Sequence, residues 1–96
     1  MKNTIDIGNF VTASTPDSIL SGLTARVKAR RKALKITQKQ LSTKSGVSYG
    51  SLRRFESSGE ISLYSLLRIA QALDCLEDFN LLFKTPVITN LKDYKA

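Results

Sequence analysis

Ten basic side chains occupy a window that contains no acid: Arg26, Lys28, Arg30, Arg31, Lys32, Lys35, Lys39, Lys44, Arg53 and Arg54 all lie between Ser18 and Phe55. The rest of the chain carries a small excess of acids, so a strongly positive stretch sits in a mildly negative frame within a net charge of +7. The chemistry open to such a stretch is polyanion binding; the alternative is a solvated helix face that keeps the chain soluble. Other chemistries lack their parts. There is no His and a single cysteine, Cys75, which removes the usual general base, the usual metal ligand and any internal disulfide. Ser42, Ser48 and Ser51 have no base to activate a hydroxyl. No enzyme activity, metal site or cofactor is therefore expected. The longest uncharged run, Ile7 to Pro16, is too short for a membrane span, and no apolar core of a secretory signal follows Met1. A free thiol fits a reducing cytoplasm.

The elements that must position these bases follow from short-range signals. A chain of 96 residues, 42% hydrophobic, is one domain with one core. Residues 1–14 show no helical period and read as an N-terminal arm. Thr15, Pro16 and Asp17 open a first helix, with Leu20, Leu23, Val27 and Leu34 on one stripe, running to about Leu34. Thr37 and Gln40 form a capping box for a short second helix, Gln38 to Ser45, which Gly46 ends. Ser48 caps a third, Tyr49 to about Ser57, whose inward face is Leu52 and Phe55. Ser62 caps a fourth, with Leu63, Leu66, Leu67, Ala70 and Leu73 in helical register. A short fifth helix is expected from Leu76 to Phe83, with Leu76, Phe79 and Phe83 on one face. Pro86 then ends helical structure, leaving 84–96 as a C-terminal arm in which Val87, Ile88 and Thr89 are β-prone; the arm reads either as a short strand that pairs with a second copy or a partner, or as a frayed tail. The fold class is all-α, a five-helix bundle over 15–83 with two arms.

Two short helices joined by Gly46-Val47-Ser48, with Leu41, Val47, Leu52 and Phe55 as anchors, have the build of a helix-turn-helix. Gly46 supplies the left-handed residue of a sharp turn, Val47 plugs the angle between the helices, and Leu52 and Phe55 pin the third helix so that Tyr49, Gly50, Arg53 and Arg54 face outward.

These residues resemble the lambdoid phage repressor and Cro-like domains, the Xre type of helix-turn-helix. The resemblance spans Leu23 to Phe83. It rests on Arg26-Val-Lys-Ala-Arg-Arg31, Thr37-Gln38, Gly46-Val47-Ser48 and the Leu63-x-x-Leu-x-x-Ile-Ala-x-Ala-Leu run. It implies a five-helix domain that binds double-stranded DNA as a homodimer on a roughly palindromic operator. Thr37, Gln38, Lys39, Ser48, Tyr49, Gly50, Ser51, Arg53 and Arg54 are then the DNA-binding candidates. Gln38 resembles a family glutamine whose side chain and backbone N–H clamp a phosphate. Arg54 is the candidate base reader, because its planar fork matches guanine O6 and N7, and Arg53 the candidate phosphate contact. Arg31 and Glu56 are expected, by the same resemblance, to form a buried ion pair, while Lys32 and Lys35 are solvent charges. Two positions depart from the family pattern. Ser42 replaces a common Ala, and Gly50 stands where many relatives carry a base-reading amide. Gly50 admits a functional reading, in which the missing side chain lets the backbone approach DNA closely or lets Tyr49 stack, and a bland one, a tolerated weak residue near a helix end.

A second functional class is an antitoxin. Phe79-x-x-Leu-Phe-Lys-Thr-Pro followed by Leu91-Lys-Asp-Tyr looks like small regulators of the HipB kind that accompany HipA-like kinase toxins. Phe79, Leu82, Phe83, Val87 and Ile88 are the candidate dimer or partner contacts under either reading. An RNA binder is disfavoured, because Tyr49 is the lone aromatic on the presumed reading face.

Overall fold

The computed structural model describes residues 14–88; the expectations for the N-terminal arm and for Thr89 onward lie outside these residues. Four α-helices follow one another: α1 (Pro16–Ala33), α2 (Gln38–Ser45), α3 (Tyr49–Ser58) and α4 (Leu63–Ala72), and a 3₁₀ helix spans Leu76–Leu81. No strand occurs among the described residues.

Each α-helix begins on a hydroxyl. The side chains of Thr15, Thr37, Ser48 and Ser62 accept from the backbone N–H of Ser18, Gln40, Ser51 and Ser65, which satisfies a donor that has no partner inside the helix. Thr37 and Gln40 bond reciprocally, the Thr37 N–H donating to Gln40 Oε1 at 2.8 Å. Gly46 and Gly59 close α2 and α3 with φ of 76° and 85°, a conformation that side chains disfavour.

The core is a single cluster of Leu41, Val47, Leu52, Phe55, Leu66, Ile69, Ala72 and Leu73, with Leu23, Val27, Ile36, Ile61, Cys75 and Phe79 packed around it. α1 packs on α3, α2 on both α3 and α4, and the 3₁₀ helix on α4. Five side chains (Phe55, Leu41, Leu52, Ile69 and Leu73) are completely buried, three of them in the two short helices. These helices are too short to persist on propensity alone, so tertiary burial holds them.

Three expectations are corrected. Leu34 does not continue the inward stripe: α1 ends at Ala33, Lys35 turns the chain at φ 61°, and Leu34 is left 46% exposed. Leu63, in the first turn of α4, keeps the helical register of Leu66 and Ala70 but is exposed. The fifth helix is a 3₁₀ helix that ends at Leu81, with no side-chain cap at Cys75. So short and uncapped a segment cannot sustain α-helical bonding. Leu82 turns extended and Phe83 takes φ 62°, so Phe83 is fully exposed and shares no face with Leu76 and Phe79. Val87 and Ile88 are exposed.

Candidate nucleic-acid interface

The turn between α2 and α3 is fixed from several sides. Ser42 Oγ donates to the Val47 carbonyl at 2.6 Å, and the Val47 N–H donates to Ser45 Oγ at 3.1 Å, so both polar groups of the buried plug residue are satisfied. Ser42 thus gives the turn a hydrogen bond that an alanine cannot. The Arg68 guanidinium lies against Gly46, where a Cβ would collide with it. Gly46 is required for its left-handed backbone, while the Arg68 guanidinium, at the end of a flexible side chain, fills the space beside it.

Beneath the turn, Leu52 and Phe55 anchor α3 in the core. Tyr49, Gly50, Arg53 and Arg54 are all exposed, and Ser51 is half-buried at the cap, its hydroxyl bonded to Ser48. Lys39 Nζ lies 5.6 Å and Arg53 Cζ 5.5 Å from the centre of the Tyr49 ring. The tyrosine is thus a shared platform that draws one cation from α2 and one from α3 together. Arg54 lines both an open cleft with Lys28, Gln38, Gly50 and Arg53 and a groove with Ser51, Glu60 and Ser62.

At the floor of that cleft Glu56 makes the one ion pair among the described residues. Arg31 holds its carboxylate in a fork, Nε to Oε2 at 2.8 Å and Nη2 to Oε1 at 3.1 Å, with side chains only 10% and 2% exposed. Arg31 Nη1 also donates to the Ile36 carbonyl at 2.9 Å, and Gln38 Nε2 donates to Glu56 Oε1 at 2.9 Å. Burial alone would push the Glu56 carboxyl up. Hydrogen bonds from Arg31 and Gln38, with the charges of Arg31 and Lys28, outweigh it and hold the group below its ordinary value of 4.5.

The network also changes the inventory of free bases. Arg31 is committed to Glu56, and Arg30 caps α4, with Nε donating to the Leu73 carbonyl at 2.6 Å and Nη2 to that of Asp74 at 3.1 Å. Gln38 has one amide hydrogen on Glu56, which leaves the second for another acceptor. Thr37 is engaged in its capping box and is exposed at the α2 N-terminus. Lys28 was not among the sequence candidates but lines the cleft. Its signal was its place one turn before Arg31, on the side of α1 that meets Glu56. Arg68 was likewise missed, because only the folded chain brings it to the turn.

Among the candidate contacts at the other end, Phe79 is half-buried against the core, while Leu82, Phe83, Val87 and Ile88 are exposed. No group of His, Cys, Asp and Glu among the described residues is placed to hold a metal. No helix among them is long and apolar enough to cross a membrane.

Helices set against a sharp turn, with a basic exposed face on the second, define a helix-turn-helix DNA-binding protein. A helix-turn-helix family model matches residues 27–79, and the chain belongs to that family, the Xre-like DNA-binding transcription regulators, which are not typically enzymes. No solved structure matches the chain.

Proposed function

We propose that the chain is a transcriptional repressor that binds a roughly palindromic operator as a homodimer in the cytoplasm, through residues 15–83. The observation that carries the reading is the acid-free face of α2 and α3. Lys39, Arg53 and Arg54 are exposed there with Lys28 at the adjoining cleft, while the one nearby buried acid, Glu56, is neutralised internally. In this reading α3 enters the major groove and Arg54 reads a base edge. Arg53, Lys39, the free amide hydrogen of Gln38 and the first turn of α2 behind Thr37 contact phosphates, and Tyr49, Ser48 and Ser51 contact the backbone or a thymine methyl.

A domain this small grips one half-site, and a second copy roughly 34 Å along the groove raises affinity and supplies the two-fold symmetry. The exposed Leu82, Phe83, Val87 and Ile88 favour a contact through the C-terminal end of the domain and its arm. The same uncovered apolar side chains support the second reading, an antitoxin that neutralises a HipA-like kinase and represses its own operon. Selection of bound duplexes from a random pool, with the mass of the complex measured in parallel, tests the proposal. An enriched palindrome bound by two copies supports it. Binding without sequence preference, or by one copy, overturns it. Copurification of a kinase from the native host would move the reading to the antitoxin.

A further inference from the structure

Gly50 is the one glycine among the described residues whose added Cβ would touch nothing within 4 Å. Gly46 and Gly59 are held by their positive φ, and a Cβ at Gly59 would also run into Leu20; a Cβ at Gly22 would meet only the end of the flexible Arg26 side chain, which can swing aside. The Gly50 backbone is ordinary helix, since positive φ among glycines is confined to Gly46 and Gly59. Alanine is the better helix former, so the glycine weakens α3 without relieving any clash or strain inside the molecule.

The surroundings of this bare position are what give it meaning. Gly50 lies in the second position of α3, between Tyr49 and the arginines Arg53 and Arg54, and lines the cleft with Lys28 and Gln38. It is the point where the exposed face of α3 is stripped to backbone while long cationic side chains rise around it. We propose that Gly50 is a steric specificity determinant: the edge of a base pair in duplex DNA seats directly on the α3 backbone there, and the missing side chain sets the depth at which the arginines reach the bases. A methyl group would hold α3 away from the groove floor, and guanidinium hydrogen bonds that need about 2.9 Å are lost within a fraction of an ångström beyond 3.2 Å. Non-specific binding, carried by long flexible cations on phosphates, tolerates the same displacement.

This inference rests on the DNA interface proposed above, and the test separates the two. The full chain and its Gly50→Ala, Lys39→Ala and Arg54→Ala variants are measured by thermal melting. Their affinities are then measured for a labelled duplex selected from a random pool by the unsubstituted protein, and for the unselected pool itself. Gly50→Ala is expected to melt higher, by on the order of 2–8 °C, because the substitution suits an unstrained helix. It is expected to bind the selected duplex about tenfold more weakly while the unselected pool changes far less. Equal affinity of Gly50→Ala and the unsubstituted protein for the selected duplex overturns the inference, as does a lower melting temperature, which would reveal an internal role. If Lys39→Ala and Arg54→Ala also leave both affinities unchanged, the interface itself fails, and the inference with it.

Discussion

Gln38 Nε2 donates to Glu56 Oε1 at 2.9 Å, and this bond ties the first residue of α2 to the inner face of α3. The same oxygen accepts from Arg31 of α1, so one carboxylate fixes the mutual placement of three helices. The amide held in this way keeps one hydrogen for an outside acceptor and has its orientation set before any ligand arrives. Pre-positioning of this kind lowers the cost of ordering a side chain on binding.

Arg31→Ala should destabilise the fold by about 3 kcal/mol, because it leaves a buried carboxylate with its chief partner gone. Arg31→Met combined with Glu56→Leu should come within about 1 kcal/mol of the unsubstituted protein, since water can serve the half-exposed Gln38 amide. Denaturant unfolding checks both. A midpoint unmoved by Arg31→Ala would make this arginine an ordinary surface base.

The pair also predicts a pH dependence. Glu56 has a folded-state pKa below its ordinary 4.5, so its contribution to stability is fully present above that value and is lost as pH falls through the folded pKa. The melting temperature of the unsubstituted protein should therefore fall more steeply below about pH 4.5 than that of Glu56→Gln, with the two curves parallel from about pH 5 to 7. Parallel curves throughout would show that the carboxylate is not stabilised by folding.

Lys39→Ala and Arg54→Ala should separate in their effects on DNA binding. Removal of the Lys39 charge should weaken binding to all duplexes and reduce the slope of log K against log salt by about one. Loss of Arg54 should cost roughly 1–3 kcal/mol on the selected duplex and relax preference at one base pair. Uniform losses on every sequence from both variants would remove Arg54 as a reader.

Deletion of residues 85–96 takes away the exposed Val87 and Ile88. The truncated chain should show a monomer's mass by light scattering and a weaker hold on a two-half-site duplex; its melting temperature should fall only by what dimerisation adds and lose its dependence on protein concentration, because no core residue among the described residues lies beyond Phe79. A truncated chain that remains dimeric and binds as before would leave the arm without a part in assembly.

The boundaries of α1 to α4 were legible in the sequence because the signals that set them are local. Thr37 finds Gln40 and Ser48 finds Ser51 three residues away, and Gly46 turns the chain by its own backbone preference. The acid-free basic window was legible for the same reason, since charge can be counted without a fold. Which bases in it remain free could not be counted. Arg31 meets its carboxylate 25 residues on, Arg30 meets a carbonyl 43 residues on, and Gln38 meets Glu56 across 18 residues. Only packing of α1 and α2 on α3 and α4 decides those distances. The fifth helix is legible as a helix, but its 3₁₀ form and its end at Leu81 are not, for a related reason. Its apolar pattern fits either period, and the missing cap and the turns at Asp74 and Phe83 give a weak segment whose shape is set by the surface of α4 on which it rests. The open space above Gly50 is likewise a tertiary fact, because the sequence names a residue without a side chain and only the fold shows that nothing within the described chain fills the gap.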